Sequence, residues 1–394
     1  MYYHQFMPHR RNRYLMGFLK KQASFWPVVG VIGLRQVGKS TLLRDLIGLS
    51  PYLTLDDEDT RGDAEASAKA FLARQSPPMV IDEVQKCPSL FDAIKSAVDR
   101  NRVPGSFYLT GSSSFSAQKN IRESLTGRIG ICELFPMTLA EADECPFAPE
   151  RVVPVHRHKP RFGIERLALQ TTRGGMPVPL FSRDASVRSQ YWKNWIATTL
   201  GRDMARVYGR GYDADFAEKV LFEIVRHHEQ GIFPTVGDFR HDSRRTKKYL
   251  IALRNVFIVS TLPCHSTGTG KDVFYLSDSG MACALMNHPT GELASLALTR
   301  IFVLNEIFAN THYAGQIPRW SYFKSRKGTP LDLVWNNIPV KIVASTRQTG
   351  WEERAVEGAR KALQSKVGLL VGPTDHVTLP KKQGIGLVPW TYWS

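Results

Sequence analysis

The amino-acid sequence predicts an α/β protein whose first domain is a mainly parallel β-sheet covered by helices on both faces. Two observations support this prediction. Short apolar runs alternate with segments of helical periodicity between residues 28 and 135, and this alternation is typical of parallel sheets. A glycine-rich turn also joins the first apolar run to the first helical segment. The chain has 394 residues, and a single hydrophobic core usually serves fewer residues than this. We therefore expect two or three domains.

The elements of the first domain follow one another in a clear order. An amphipathic helix is predicted within residues 10–23, and apolar runs predict strands at residues 28–32, 52–55, 79–81, 106–110 and 129–135. Further helices are predicted over residues 39–47, which Gly48 would end, and over residues 88–100. We place the end of this domain at residue 150, since four prolines between residues 146 and 160 interrupt any helix.

The region from residue 151 to 285 is predicted to be mostly helical. Helices are expected over residues 186–208, 216–228 and 244–253, with a turn at residues 235–238 and a strand at residues 256–259. A helix, a turn, a helix and a strand in this space predict a winged helix-turn-helix. The second helix carries Arg244, Arg245, Lys247 and Lys248. These side chains could contact DNA phosphates or form an ordinary solvated helix face.

The region from residue 286 to 394 is again predicted to be α/β. A helix containing residues 302–308 is followed by expected strands at residues 320–323, 331–335, 340–343 and 367–371, with a helix over residues 352–364. We expect this region to form a separate domain.

The charge of the chain is unevenly distributed. The formal net charge is +16, and residues 1–150 hold 18 basic and 17 acidic side chains, whereas the remainder holds 34 and 19. A basic half can attract double-stranded DNA through its phosphates, but it can equally meet an acidic protein partner or keep the chain soluble.

Cysteine spacing and hydropathy exclude several classes of protein. The five cysteines are widely spaced and form no C-x-x-C pair, which argues against a zinc site and against a disulfide framework. No run approaches the ~20 apolar residues of a membrane span, and no signal-peptide core is recognisable near the start. We therefore expect a cytoplasmic protein without a membrane partner.

The glycine-rich turn matches a phosphate-binding loop in full. Its sequence is Gly33-Leu34-Arg35-Gln36-Val37-Gly38-Lys39-Ser40, followed by Thr41 at the start of the helix. The two glycines permit a tight loop whose N–H groups face phosphates, and the helix N-terminus adds positive potential. Lys39 is expected to reach the β- and γ-phosphates, and the Ser40 hydroxyl to ligate Mg²⁺.

The other half of this site is predicted from two further strands. Asp82 and Glu83 follow the apolar residues 79–81, so Asp82 is expected at the Mg²⁺ and Glu83 at the attacking water, as its general base. Thr110 ends the next strand, before Gly111 and Ser112. Because ligands bind at the carboxyl ends of such strands, Thr110 could sense the γ-phosphate, or the segment could be a plain turn.

These motifs together resemble a family of prokaryotic AAA-type P-loop ATPases. The resemblance rests on residues 33–40, 55–57, 80–85 and 109–113 and continues more loosely through residues 124–128, 174–177 and 275–281. It implies ATP as the nucleotide, an AAA-type ATPase domain, a winged helix and a C-terminal restriction-nuclease-like domain of unknown function. It also implies that Arg128 acts as an arginine finger on a neighbouring subunit of a homo-oligomer, although Arg128 could instead pair with an acid of its own domain.

The nuclease-like part departs from the pattern that the resemblance implies. Glu306, Asp332 and Lys341 stand at suitable places, but Pro339 replaces the carboxylate expected two residues before the lysine. With one ligand gone, Mg²⁺ loses charge and geometry. We expect an inactive domain in which Glu306 and Lys341 form a buried ion pair, or a docking or nucleic-acid-binding surface.

Three hypotheses of function follow. The first is an ATPase whose Mg²⁺-dependent hydrolysis changes the conformation of the basic C-terminal half. The second is a switch that binds ATP, hydrolyses it slowly and presents that half to DNA or to a protein. The third, a nuclease driven by the ATPase, is disfavoured by Pro339.

Overall fold

The computed structural model describes residues 11–114, 124–152, 159–286, 295–317, 319–325, 328–346 and 350–394. These residues form two compact units. The first contains residues up to 137 together with residues 255–257, and the second contains residues 138–254 and 258–394. Over the described ranges, no helix has the length and apolar character that crossing a membrane requires.

The first unit is a five-stranded parallel sheet with helices around it. Its strands are β1 (Val28–Ile32), β2 (Tyr52–Thr54), β3 (Met79–Asp82), β4 (Phe107–Gly111) and β5 (Ile129–Glu133). Its helices are α1 (Leu15–Ala23), α2 (Glu58–Ala66), α3 (Ala68–Ala73) and α4 (Ser89–Arg100). The strand order is β2-β3-β4-β1-β5, with every neighbouring pair parallel. The predicted parallel sheet is therefore confirmed.

The packing of this sheet explains why its strands read as apolar runs. Every residue of β1, β3 and β4 is buried, as expected for strands covered on both faces. The helix predicted after the phosphate loop is present, with a wider π-type turn over Thr41–Leu46. Helices α2 and α3 were not predicted, because α2 is mostly polar and α3 is only six residues long. Their caps, formed by the side chains of Asp57 and Ser67, locate them instead.

The second unit contains all the remaining elements. Its helices are α5 (Leu139–Ala142), α6 (Ile164–Arg173), α7 (Pro177–Phe181), α8 (Ala185–Thr198), α9 (Ala205–Tyr208), α10 (Ala214–Glu229), α11 (Ser243–Asn255), α12 (Ser279–Leu285), α13 (Leu296–Tyr313) and α14 (Gly350–Ala362). Its strands are β6 (Val259–Leu262), β7 (Val273–Leu276), β8 (Trp320–Phe323), β9 (Leu331–Trp335), β10 (Ile338–Ile342), β11 (Val367–Gly372) and β12 (Gly384–Pro389).

The middle of this unit is helical, as predicted. Helices α10 and α11 are separated by a short 3-10 turn at Val236–Asp238, and the antiparallel pair β6–β7 follows them. The strand predicted at residues 256–259 is displaced, because Phe257 has a positive φ of 64° and pairing begins only at Val259. This order of elements is compatible with a winged helix-turn-helix, which stays a prediction.

The last part of the second unit is a five-stranded mixed sheet of order β12-β11-β10-β9-β8. Strands β8, β9 and β10 pair antiparallel, and β10, β11 and β12 pair parallel. Helix α14 packs against β10, β11 and β12. Strand β12 was not predicted, since its glycines and its terminal proline are unfavourable in strands.

Two of the looser sequence motifs meet in the second unit. The buried carboxylate of Asp278 accepts hydrogen bonds from the N–H groups of Gly175 (2.8 Å) and Met281 (2.9 Å). Gly174 has a φ of 77°, and a Cβ atom there would collide with this carboxylate. Burial raises the pKa of Asp278 to about 6, against the effect of these hydrogen bonds. The two motifs therefore have a structural role in joining α6 to α12.

Candidate nucleotide site

The phosphate loop follows β1 at the carboxyl edge of the parallel sheet. Gly33 and Gly38 have φ values of 146° and 106°, which other residues rarely adopt. A Cβ atom on Gly33 would also collide with the backbone carbonyl oxygen of Leu134. Gln36 lies in the left-handed region, with a φ of 62°. Both glycines are thus required by the backbone, as the sequence predicted.

Lys39 lies folded into its own loop. Its Nζ atom donates hydrogen bonds to the carbonyl oxygens of Gly33 (2.9 Å) and Leu34 (2.8 Å), and the residue is buried. The ammonium group is therefore within the loop whose N–H groups would face the phosphates. Of the other predicted site residues, Arg35 and Val37 lie within the loop, and Thr41 lies in the helix that follows it.

Ser40, Asp82 and Thr110 come together at this edge of the sheet. The Ser40 hydroxyl donates to Asp82 Oδ2 at 3.3 Å, and the Thr110 hydroxyl donates to Asp82 Oδ1. Thr110 Oγ1 also accepts a hydrogen bond from the Glu83 N–H at 3.2 Å. Hydroxyl and carboxylate oxygens are the donor set that Mg²⁺ prefers, so Ser40 and Asp82 fit this ion.

Glu83 is placed in the site, but its carboxylate is engaged. Its backbone is left-handed, with a φ of 55°. Its Oε2 atom accepts hydrogen bonds from the Gln85 amide and from the Ser112 hydroxyl, the latter at 3.2 Å. These two hydrogen bonds fix one of the two carboxylate oxygens of Glu83.

Two residues near the site were missed from the sequence. The Tyr52 hydroxyl is buried beside Ser40 and Asp82. Burial raises the pKa of this phenol well above its usual value. The neighbouring Ser40 lowers this pKa, and Asp82 raises it further. Arg13 donates a hydrogen bond to the Val37 carbonyl oxygen at 3.0 Å. No motif signals either residue, because each reaches the site through tertiary contacts.

Arg128 does not join the other site residues. Its carbonyl oxygen accepts a hydrogen bond from the N–H of Val28, at the start of β1, whereas the phosphate loop follows the end of β1. The Arg128 guanidinium pairs with both oxygens of Asp99, at 2.6 and 2.9 Å. Arg128 therefore lies at the opposite edge of the sheet from the loop of its own chain.

Glu306, Asp332 and Lys341, which the sequence suggested as a nuclease-like group, are arranged differently from that prediction. Asp332 Oδ1 lies 3.3 Å from both Lys341 Nζ and Arg300 Nε, and Asp332 Oδ2 accepts the Ile342 N–H at 2.7 Å. The predicted Glu306–Lys341 ion pair is wrong, because Asp332 takes the lysine. Glu306 instead accepts the Leu139 N–H at 2.7 Å.

The basic side chains of α11 are exposed, and two of them contact their own unit. Arg245 forms an ion pair with Asp213 at 2.7 Å and lies 3.9 Å from the ring centre of Phe216. Lys248 Nζ lies 3.8 Å from the ring centre of Tyr208. These cation–π contacts place Arg245 against α10 and Lys248 against α9.

Comparison with known proteins identifies the first unit most clearly. Residues 26–142 match the family model described as AAA domain. Two uncharacterized proteins, from Mycobacterium bovis and Mycobacterium tuberculosis, are each 31% identical over 272 residues, which cover 66% of this chain and 56% of theirs. The chain thus spans little more than half the length of these relatives.

Two solved structures are also similar in part. A Walker-type ATPase of Pyrococcus abyssi shares 13% identity over 68% of this chain and 93% of its own, with a TM-score of 0.38. The ORC1 protein of Aeropyrum pernix, solved in complex with DNA, shares 14% identity over 72% of this chain and 94% of its own, with a TM-score of 0.26.

Proposed function

We propose that the AAA-type P-loop domain at residues 26–142 binds ATP together with Mg²⁺ and hydrolyses the γ-phosphate bond. One observation supports this proposal most strongly. The side chains expected to act on the nucleotide lie together at one edge of the sheet, beside the phosphate loop: Lys39, Ser40, Asp82, Glu83 and Thr110. The family match over the same residues supports ATP as the nucleotide.

Binding depends on charge and on preformed donors. The N–H groups of the loop and the helix that follows it favour the phosphates, and Lys39 neutralises part of their negative charge. Since its Nζ now donates to two loop carbonyl oxygens, it must turn from them toward the phosphates. Ser40 and Asp82 would hold Mg²⁺, which supplies charge neutralisation at the phosphates.

Hydrolysis requires a base and a group that orients the reactants. Glu83 would accept a proton from the attacking water, while Gln85 and Ser112 hold one oxygen of its carboxylate. Thr110 fixes the Asp82 carboxylate and the Glu83 backbone with one hydroxyl. A change at Thr110 would therefore disturb both acids at once.

Arg128 is proposed to act on the nucleotide of a second copy in a homo-oligomer. Its position at the opposite sheet edge removes it from the nucleotide of its own chain. It would have to exchange Asp99 for the γ-phosphate of the neighbour, where it would stabilise charge that develops during hydrolysis.

The C-terminal part is proposed to transmit the nucleotide state to a partner. Residues 151–285 would contain the winged helix, and residues 286–394 a nuclease-like domain without activity. The Asp332 carboxylate is already occupied by two cations and a backbone N–H, which supports inactivity. The exposed side chains of Arg244 and Lys247 on α11 support double-stranded DNA as one candidate partner, and an acidic protein surface is the other.

Steady-state ATP hydrolysis tests this function. Wild type, Lys39→Ala and Glu83→Gln are compared with and without double-stranded DNA. We expect both variants to lose at least about 100-fold in turnover, and DNA to stimulate the wild type. Wild-type turnover in either variant would contradict the proposed site, whereas unchanged turnover on adding DNA would remove DNA as the partner.

A slowly hydrolysing switch is the second candidate function. The two hydrogen bonds from Gln85 and Ser112 to Glu83 favour it, because they restrain the carboxylate that would accept a proton from water. Gln85→Ala separates the two candidates, because it should raise turnover severalfold if this contact limits hydrolysis. Unchanged turnover in Gln85→Ala would favour the continuously active ATPase.

A further inference from the structure

Arg13 lies against the phosphate loop although it precedes that loop by 20 residues in the chain. Its Nη1 atom donates to the carbonyl oxygen of Val37 at 3.0 Å, and its Nη2 atom donates to that of Phe135 at 2.7 Å. The residue is only 5% exposed. We propose that Arg13 is a positioning residue of the nucleotide site, which aims a loop N–H group at the phosphates. This inference rests on the proposed nucleotide binding.

The geometry of the peptide bond gives the reason. The carbonyl of Val37 and the N–H of Gly38 belong to one planar trans peptide, in which the two groups point in opposite directions. When Arg13 holds the carbonyl on the outside of the loop, the Gly38 N–H must point to the inside, where the phosphates would lie. Anchoring one oxygen therefore orients one donor of the cradle.

The loop needs such an anchor. Gly38 has a φ of 106°, and Gln36 next to Val37 is left-handed with a φ of 62°. Such backbone angles persist only when the surrounding structure fixes them. Without Arg13, the peptide between Val37 and Gly38 could rotate and turn its carbonyl oxygen toward the phosphates, which would repel them.

The second hydrogen bond ties this anchor to the sheet. Phe135 follows Leu134, whose N–H donates to Ile32 at the end of β1 at 2.8 Å. Arg13 thus connects the loop to the end of the strand pair that supports it. A guanidinium carries several N–H donors in a fixed plane and can bridge two carbonyl oxygens, whereas an ammonium group is a compact point charge on a flexible stem.

The test compares Arg13→Lys with a matched control. Arg188 is also a buried arginine that donates to two backbone carbonyl oxygens, those of Ser182 (3.0 Å) and Arg183 (2.9 Å), and it belongs to the other unit. The dissociation constant of a fluorescent ADP is measured for wild type, Arg13→Lys and Arg188→Lys. The KM and kcat for ATP are measured for the same proteins.

We expect Arg13→Lys to bind ADP about tenfold more weakly, and to raise KM by a similar factor while kcat changes less than about threefold. Arg188→Lys should bind ADP as the wild type does. Wild-type affinity in Arg13→Lys, or an equal loss in both variants, overturns the inference alone. Failure of the wild type to bind ADP overturns the proposed function as well.

A measurement on the wild type covers the case in which Arg13→Lys does not fold. Coupling between two contacts is reciprocal, so bound ADP should in turn stabilise the contact that Arg13 makes. The N–H of Met16 donates to the Arg13 carbonyl oxygen at 3.0 Å, and its hydrogen exchange should slow at least threefold on ADP binding. Unchanged exchange at Met16, with slowed exchange in the loop itself, would contradict a positioning role.

Discussion

Replacing Asp332 by asparagine is expected to destabilise the second unit strongly rather than to remove an enzymatic activity. The substitution keeps the shape of the side chain and removes its charge. Arg300 and Lys341, which are 5% and 2% exposed, would then remain buried near one another without the carboxylate that lies 3.3 Å from each. Removing one partner of a buried pair costs about 3–5 kcal/mol.

The pH dependence of this loss follows from Lys341. Burial already lowers the pKa of Lys341, and Asp332 opposes that effect, so the variant should lower it further. The folded variant then binds fewer protons than the unfolded chain over a range below the usual lysine pKa. Its free energy of unfolding should therefore rise with pH. We expect the difference from wild type to shrink between pH 7 and pH 9.

Urea unfolding followed by tryptophan fluorescence measures this effect. Seven of the eight tryptophans lie in the second unit, so the signal reports mainly on that unit. The midpoint of Asp332→Asn should fall by about 1 M or more. Asp143→Asn is the control, because its ion pair with Arg166 is partly exposed and should contribute at most ~1 kcal/mol. A wild-type midpoint for Asp332→Asn would refute the assignment of a structural ion-pair cluster.

Three further predictions concern single side chains. Gly33→Ala places a Cβ atom on the Leu134 carbonyl oxygen and should weaken ADP binding at least about tenfold, as measured by titration; wild-type affinity would contradict the loop geometry. Tyr52→Phe should raise the Mg²⁺ concentration needed for half-maximal hydrolysis about tenfold, without loss of thermal stability, and an unchanged requirement would place this hydroxyl outside the metal site. Burial raises the pKa of Glu306 to about 8, so wild type should lose stability as pH rises from about 4.5 toward 8. Asp278, whose pKa burial raises to about 6, contributes a slope of the same sign, so Glu306→Gln should show a smaller decline in urea midpoint than the wild type, and an identical decline would contradict the burial argument.

Much of the first unit could be predicted because its signals are local. Apolar runs mark strands that are buried on both faces, and a tight loop around phosphate requires glycine at fixed positions. Asp82 and Glu83 stand at the end of β3, so the order of strands along the chain sets their distance in sequence from the loop. The edge at which these residues meet follows from parallel pairing of β1, β3 and β4.

The remainder depends on contacts that no local pattern records. Arg13 reaches carbonyl oxygens 24 and 122 residues away in the chain. The antiparallel pairing of β9 and β10 brings Asp332 and Lys341 together. The lysine therefore pairs with Asp332 and not with Glu306. The sequence singled out Glu306, Asp332 and Lys341 together, but packing joins Lys341 to Asp332 and places Glu306 against the Leu139 N–H instead.

The most direct test of the central claim is a comparison of ATP binding and single-turnover hydrolysis in wild type and Glu83→Gln. The account predicts that Glu83→Gln binds ATP with wild-type affinity and hydrolyses it at least about 100-fold more slowly, because only the base is changed. Hydrolysis at the wild-type rate with equal binding would show that Glu83 does not act on the attacking water, and the proposed catalytic site would be wrong.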